Sequence, residues 1–160
     1  MSSSSPPPSD PPLLRPAVLG GVDGIITTLA VLWGGMRTES VVRIATATLV
    51  ADALSMGVSE FLSSREEGKA KEAATRGGVC LLSFATFGGV PILFYEVGKK
   101  TDTLLLPTGL VGASYLLLLG GVRSYLRGGR VEGVVRSAAE TLLLGAGAVA
   151  AAYGIGEAFG

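Results

Sequence analysis

The strongest constraint on this chain is a repeated length. Five stretches of about twenty apolar residues take up almost everything after position 16, each long enough to cross a ~30 Å hydrocarbon core as a helix. They run over 17–36, 41–62, 77–97, 103–126 and 134–159. A soluble domain needs no such set. Only 16% of residues are charged, where soluble domains carry roughly 25%. The 24 glycines suit helices that must approach closely in lipid. The predicted fold is all-α: a polytopic membrane protein, a five-transmembrane-helix bundle embedded in the lipid bilayer.

Charge placement predicts its orientation. Arg15, the connection after the second stretch and the one after the fourth put nine Lys/Arg residues on one side, against Arg37, Arg43, Lys99 and Lys100 on the other. That asymmetry sets a cytosolic N-terminus. Residues 1–16, MSSSSPPPSDPPLLRP, have neither the basic nor the apolar region of a signal peptide and read as a disordered Ser/Pro-rich tail. The membrane domain is then 17–160.

Several chemistries are excluded. The chain has no histidine, which removes Ser-His-Asp and Cys-His catalysis and the usual zinc sites. Cys80 is the only cysteine, so no internal disulfide or CxxC motif is possible. Net charge is zero, and no basic patch is interleaved with aromatics, which points away from nucleic acid. Without a nucleophile–base pair or a cofactor motif, the chain does not read as an enzyme and calls for no resident cofactor.

What remains is a set of polar groups within the spans. VADALSMGVSEFLSS in the second stretch places Asp52, Ser55, Met56, Ser59, Glu60 and Ser63 at helical spacing. Asp23 lies about six residues, ~9 Å, inside the cytosolic end of the first helix, and Met56 lies equally far inside the end of the second. Glu60 falls nearer the cytosol and Asp52 one turn deeper. Each intramembrane carboxylate costs at least ~2.5–3.5 kcal/mol, so function is its default reading. Carboxylates replace the hydration shell of a divalent cation, a thioether favours transition metals over Mg²⁺ or Ca²⁺, and desolvated acids exchange protons against the cation. Plainer readings stand beside these. An intramembrane acid can pair with Lys or Arg, though the expected spans contain no basic residue in their apolar parts. Met56 can be core filler, Glu60 a solvated interfacial acid, and the serines partners for backbone. Glu140 is expected to pair with Arg136 one turn away, and Glu96 and Asp102 to sit in a solvated loop. Gly20-x-x-x-Gly24 and Ala146-x-x-x-Ala150-x-x-x-Gly154 mark helix contacts, within or between subunits. Pro91 predicts a kink in the third helix.

At these residues the chain resembles the vacuolar iron transporter family. GGVDGIITTLAVLWG looks like that family's Asp-Gly signature, and LVADALSMGVSEFLSS like its Ser-Met signature with a following glutamate and aromatic. The likeness extends through AATRGGVCLLSFATFGGVPILFYEV to the Gly/Ala-rich last helix. The resemblance implies Asp23, Met56 and Glu60 as metal-pathway ligands. Asp52 is added to the path by its place on the same helix face. It implies a homodimer moving Fe²⁺ or Mn²⁺ from the cytosol into a vacuole-like or other endomembrane compartment, in exchange for protons. Two departures stand out. The long glutamate-rich insertion of many members is reduced here to REEGKAKEAATR, and Ser59 occupies a position usually held by glycine. A non-transporting scaffold or regulatory relative keeping the fold is the alternative.

Overall fold

The computed structural model describes residues 11–99 and 105–159. Five helices follow in order: α1 (Leu14–Gly34), α2 (Val41–Glu66), α3 (Ala73–Lys99), α4 (Leu105–Leu126) and α5 (Val131–Phe159). All five are long and apolar enough to cross a membrane. The expected tail reading concerns mainly residues 1–10, which lie outside the described residues, as does Asp102. α1 starts at Leu14, three residues before the expected span.

Two helices end at the arginine-rich face of the bundle with the same backbone device. After α2, the Lys69 N–H bonds the Ser64 carbonyl at 2.9 Å and the Gly68 N–H bonds that of Arg65 at 3.1 Å. After α4, Gly129 bonds Ser124 at 3.0 Å and Gly128 bonds Tyr125 at 2.9 Å. These are the paired bonds of a Schellman stop, which needs a left-handed residue. Gly68 (φ 79°) and Gly128 (φ 73°) supply it. The chain therefore reverses within a few residues, and α2–α3 and α4–α5 become tight antiparallel pairs.

Among the described residues α1 touches all four other helices, whereas α2 touches only α1 and α3, and α5 only α1 and α4. The bundle is thus a ring, α2–α3–α4–α5, wrapped around α1 and left open between α5 and α2. The closest packing is α1 on α3. A Cβ placed on Gly20 would collide with the carbonyl of Cys80, and one on Gly24 with that of Phe84. The first small-residue motif is therefore an intrasubunit contact. The Ser83 hydroxyl, donating to the Ala17 carbonyl, joins the same pair of helices. The second motif is only partly used inside the subunit. Ala146 and Ala150 line an apolar cavity against α1 and α4, while Gly154 looks onto open space.

Side chains fill the remaining volume in three clusters. Ile25, Leu29, Leu116, Leu119 and Val149 join α1, α4 and α5. Leu32, Val41, Ala45 and Tyr95 join α1, α2 and α3 at the far end. Leu49, Ala53 and Phe84 pack α2 on α3. Pro91 is buried inside a continuous α3. Its missing N–H leaves the Phe87 carbonyl without the usual helical donor. Large apolar side chains such as Leu143 (71% exposed) and Leu106 (67%) cover the outside, as lipid-facing positions require.

Gly24→Ala should destabilise the bundle by about 1–3 kcal/mol, the cost of overpacking against a backbone that cannot retreat. Gly78→Ala, where an added methyl meets nothing within 4 Å, should stay within about 0.5 kcal/mol of wild type. Unfolding of both variants in mixed detergent micelles measures the difference.

Candidate functional site

The polar stripe of α2 lies along one flank of its buried face rather than at the centre. Leu49, Ala53 and Gly57 take the centre against α3. Asp52 and Met56 are half-buried, Glu60 is buried, and Ser63 is half-buried. Ser55 and Ser59 are exposed. Met56 packs on the cluster of Leu49, Ala53 and Phe84.

On α1, Asp23 is also half-buried. At 100° per residue, Asp23 is turned about 60° and 100° from Gly20 and Gly24, so the glycines that dock on α3 aim it off the edge of that contact. It lines a cavity with residues of α4 and α5 on one side, and it lies within electrostatic reach of Asp52 on the other. Asp23 therefore lies off the α1–α3 contact, beside the cavity of α4 and α5 and within electrostatic reach of Asp52 on α2. Cys80, buried on α3, lies within electrostatic reach of both Asp23 and Glu60. Neither Asp23 nor Asp52 has a hydrogen-bond or ion-pair partner among the described residues. Nor, among those residues, do any three Asp, Glu, Cys or His side chains converge into a group able to hold a metal ion.

Glu60 is placed differently. α3 begins at Ala73, four residues before the expected span, which brings Arg76 into the helix and buries it at 4% exposure. This corrects the reading of Glu60 as a solvated interfacial acid. Arg76 Nη2 lies 2.9 Å and its Nε 3.1 Å from Glu60 Oε1. Nε also donates to Ser64 Oγ at 2.8 Å, and Nη1 donates to the Pro12 carbonyl at 2.9 Å. The Ser64 hydroxyl donates to the same Glu60 oxygen at 3.3 Å. One guanidinium thus ties α2, α3 and the segment entering α1. Burying the two charges is tolerable only because each meets the other in this geometry. Arg76 continues the buried face of α3: with Ala73 and Gly77 it lies one turn before Cys80, on the face that carries Phe84, Gly88, Pro91 and Tyr95.

Ion pairs outside the bundle interior are of another kind. Arg136 and Glu140 pair at 2.7 Å as expected, both exposed. Glu96, expected in a loop, is in the last turns of α3 and exposed beside Lys99. Just beyond α2, hydrogen bonds from Lys69 and then Arg15 hold the Glu67 carboxyl below the usual carboxylate range. Its attachments therefore persist as pH falls through that range and are lost only below it.

Five helices long and apolar enough to cross a membrane define an integral membrane protein. The chain belongs to the VIT family, a metal-transporter family, whose profile matches residues 14–76 and 65–157. The two matched stretches overlap over residues 65–76, across the α2–α3 connection. No curated protein and no solved structure matches the chain.

Arg76→Met leaves the Glu60 charge buried without its partner and should cost about 3–5 kcal/mol. The Glu60→Gln/Arg76→Met double variant should recover most of that loss. Equal destabilisation of Arg76→Met and the double variant in micellar unfolding would show that the cost comes from the bonds of Arg76 to Ser64 and Pro12 rather than from a stranded Glu60 charge.

Proposed function

We propose that this chain exports Fe²⁺ or Mn²⁺ from the cytosol into a vacuole-like compartment, exchanging the metal for protons. The observation that carries the reading is that Asp23 and Asp52, two half-buried carboxylates within the spans, lie within electrostatic reach of each other and have no hydrogen-bond or ion-pair partner among the described residues. A carboxylate in that setting is held at a cost that a structural role does not offset. An arriving divalent cation removes the repulsion between the two acids. In its absence a proton does the same. Competition between cation and proton for one carboxylate pair is sufficient for exchange and needs no covalent step.

Met56, one turn from Asp52 on the same flank of α2, supplies a thioether that prefers Fe²⁺ and Mn²⁺ to Mg²⁺ and Ca²⁺. Two carboxylates and one thioether fall short of the roughly six donors that Mn²⁺ prefers. A second copy of the chain across the open α5–α2 seam would double the set by two-fold symmetry. The homodimer fits the seam for that reason. Glu60 enters this scheme as an acid already engaged by Arg76, so a metal ion binds it only by displacing a guanidinium. Asp23, Asp52 and Met56 are therefore the ligands of the central path, and Glu60 a residue that fixes the cytosolic end of α2.

Proteoliposomes with an imposed pH gradient should take up Fe²⁺ and Mn²⁺. Asp23→Asn, Asp52→Asn and Met56→Ala should each lower uptake by about tenfold or more, the scale on which metal sites respond to loss of even an outer partner. Glu60→Gln should lower stability more than selectivity. Unchanged uptake in Asp23→Asn and Met56→Ala would sink the ligand assignment. No uptake, together with no metal-dependent shift in melting, is the result expected of a non-transporting relative.

A further inference from the structure

The arginine-rich end of the bundle carries a second cavity whose chemistry does not suit a metal ion. It opens between α1, α4 and α5 and encloses about 430 Å³, within the size range of ligand pockets. Arg15, Arg123 and Arg127 line it, with Asp23 as its one acidic residue. Val18, Val22, Ile26 and Leu144 provide apolar wall. A cation entering here would meet three guanidinium groups before reaching Asp23. The mouth therefore repels the cargo of the proposed path and attracts an anion.

We propose that this cavity binds one anionic glycerophospholipid, its phosphate held by Arg123, Arg127 and Arg15 and an acyl chain lying along Val22, Ile26 and Leu144. Three features fit that occupant together. Guanidinium groups bind phosphate oxygens through paired hydrogen bonds. Arg123 and Arg127 stand one turn apart at the end of α4, the level of the lipid headgroups, and basic pockets between helices at this level suit anionic headgroups. The wall below them is apolar and reaches into the hydrocarbon zone, which a soluble anion has no means to fill. Arg15 also pairs with Glu67 at 3.2 Å, but Glu67 is shared with Lys69 at 2.7 Å, so Glu67 alone does not neutralise Arg15. Asp23 lies eight residues from Arg15, ~12 Å deeper along α1, at the inner end of the cavity rather than at its arginine rim.

Asp23 belongs both to this cavity and to the proposed metal path, so the site is tested by lipid binding rather than by metal transport. The purified full-length chain, in phosphatidylcholine nanodiscs doped with phosphatidylserine, should retain phosphatidylserine in native mass spectrometry and melt at a higher temperature than in phosphatidylcholine alone. The Arg123→Gln/Arg127→Gln variant should lose that preference by about fivefold for each arginine removed. Leu144→Trp, which fills the slot but keeps the arginines, should lose retention as well. In the wild-type protein, phosphatidylserine bearing a photoreactive acyl chain should label segments 14–26 and 141–144. The same preference in the double-arginine variant, or labelling confined to α2 and α3, would overturn the proposal. Equal stabilisation by inorganic phosphate would overturn it too, by making the site one for a soluble anion.

Discussion

The backbone contact between α1 and α3 organises the molecule. Gly20 and Gly24 let one helix rest on the carbonyls of the other at Cys80 and Phe84, a separation that no residue with a side chain permits. Once that face of α1 is committed, Ile25 and Leu29 claim the next for α4 and α5. Only a narrow strip of α1 is left for the open side of the ring, and Asp23 lies on it. The position of the acid is thus a by-product of where the glycines are.

The bundle holds two kinds of intramembrane acid, and the difference between them is one of pairing. Glu60 is 6% exposed and paired with an equally buried guanidinium. It behaves as mortar: removing either partner strands a charge, and removing both leaves a gap that apolar atoms can fill. Asp23 and Asp52 are less buried and have each other instead of a cation. Repulsion between like charges is a standing demand for a positive ion, which a neutral replacement would abolish. A sequence alone lists three acids in a row. Their division into paired and unpaired groups depends on an arginine that lies outside the motif.

The number and order of helices were legible because a membrane imposes length and apolarity on each span separately. Their ends were less so. α2 continues to Glu66, four residues past the expected limit, and α3 begins at Ala73, four before it. Hydropathy marks the hydrocarbon layer, whereas helices continue into the interface, where Arg, Glu and Ser are solvated or paired. The burial of Arg76 was missed for that reason: a loop position and the first turn of a helix have the same composition there. Helical periodicity placed Asp52, Met56 and Glu60 on one flank correctly. It also swept in Ser55 and Ser59, which the structure turns outward, because the stripe was read as polarity and polarity does not specify direction. The Gly20/Gly24 spacing, by contrast, found its contact, since close approach is the one property that spacing encodes directly.

The Arg76 network also constrains how the chain is made. Glu60 and Arg76 are separated by sixteen residues, so during synthesis at about 5–20 residues per second the carboxylate precedes its partner by roughly one to three seconds. Until then the C-terminal end of α2 carries the Glu60 charge without its partner. The segment entering α1 is held through the Pro12 carbonyl by the same guanidinium. The first and second helices are therefore locked in place by the arrival of the third, and the order of insertion differs from the order of anchoring.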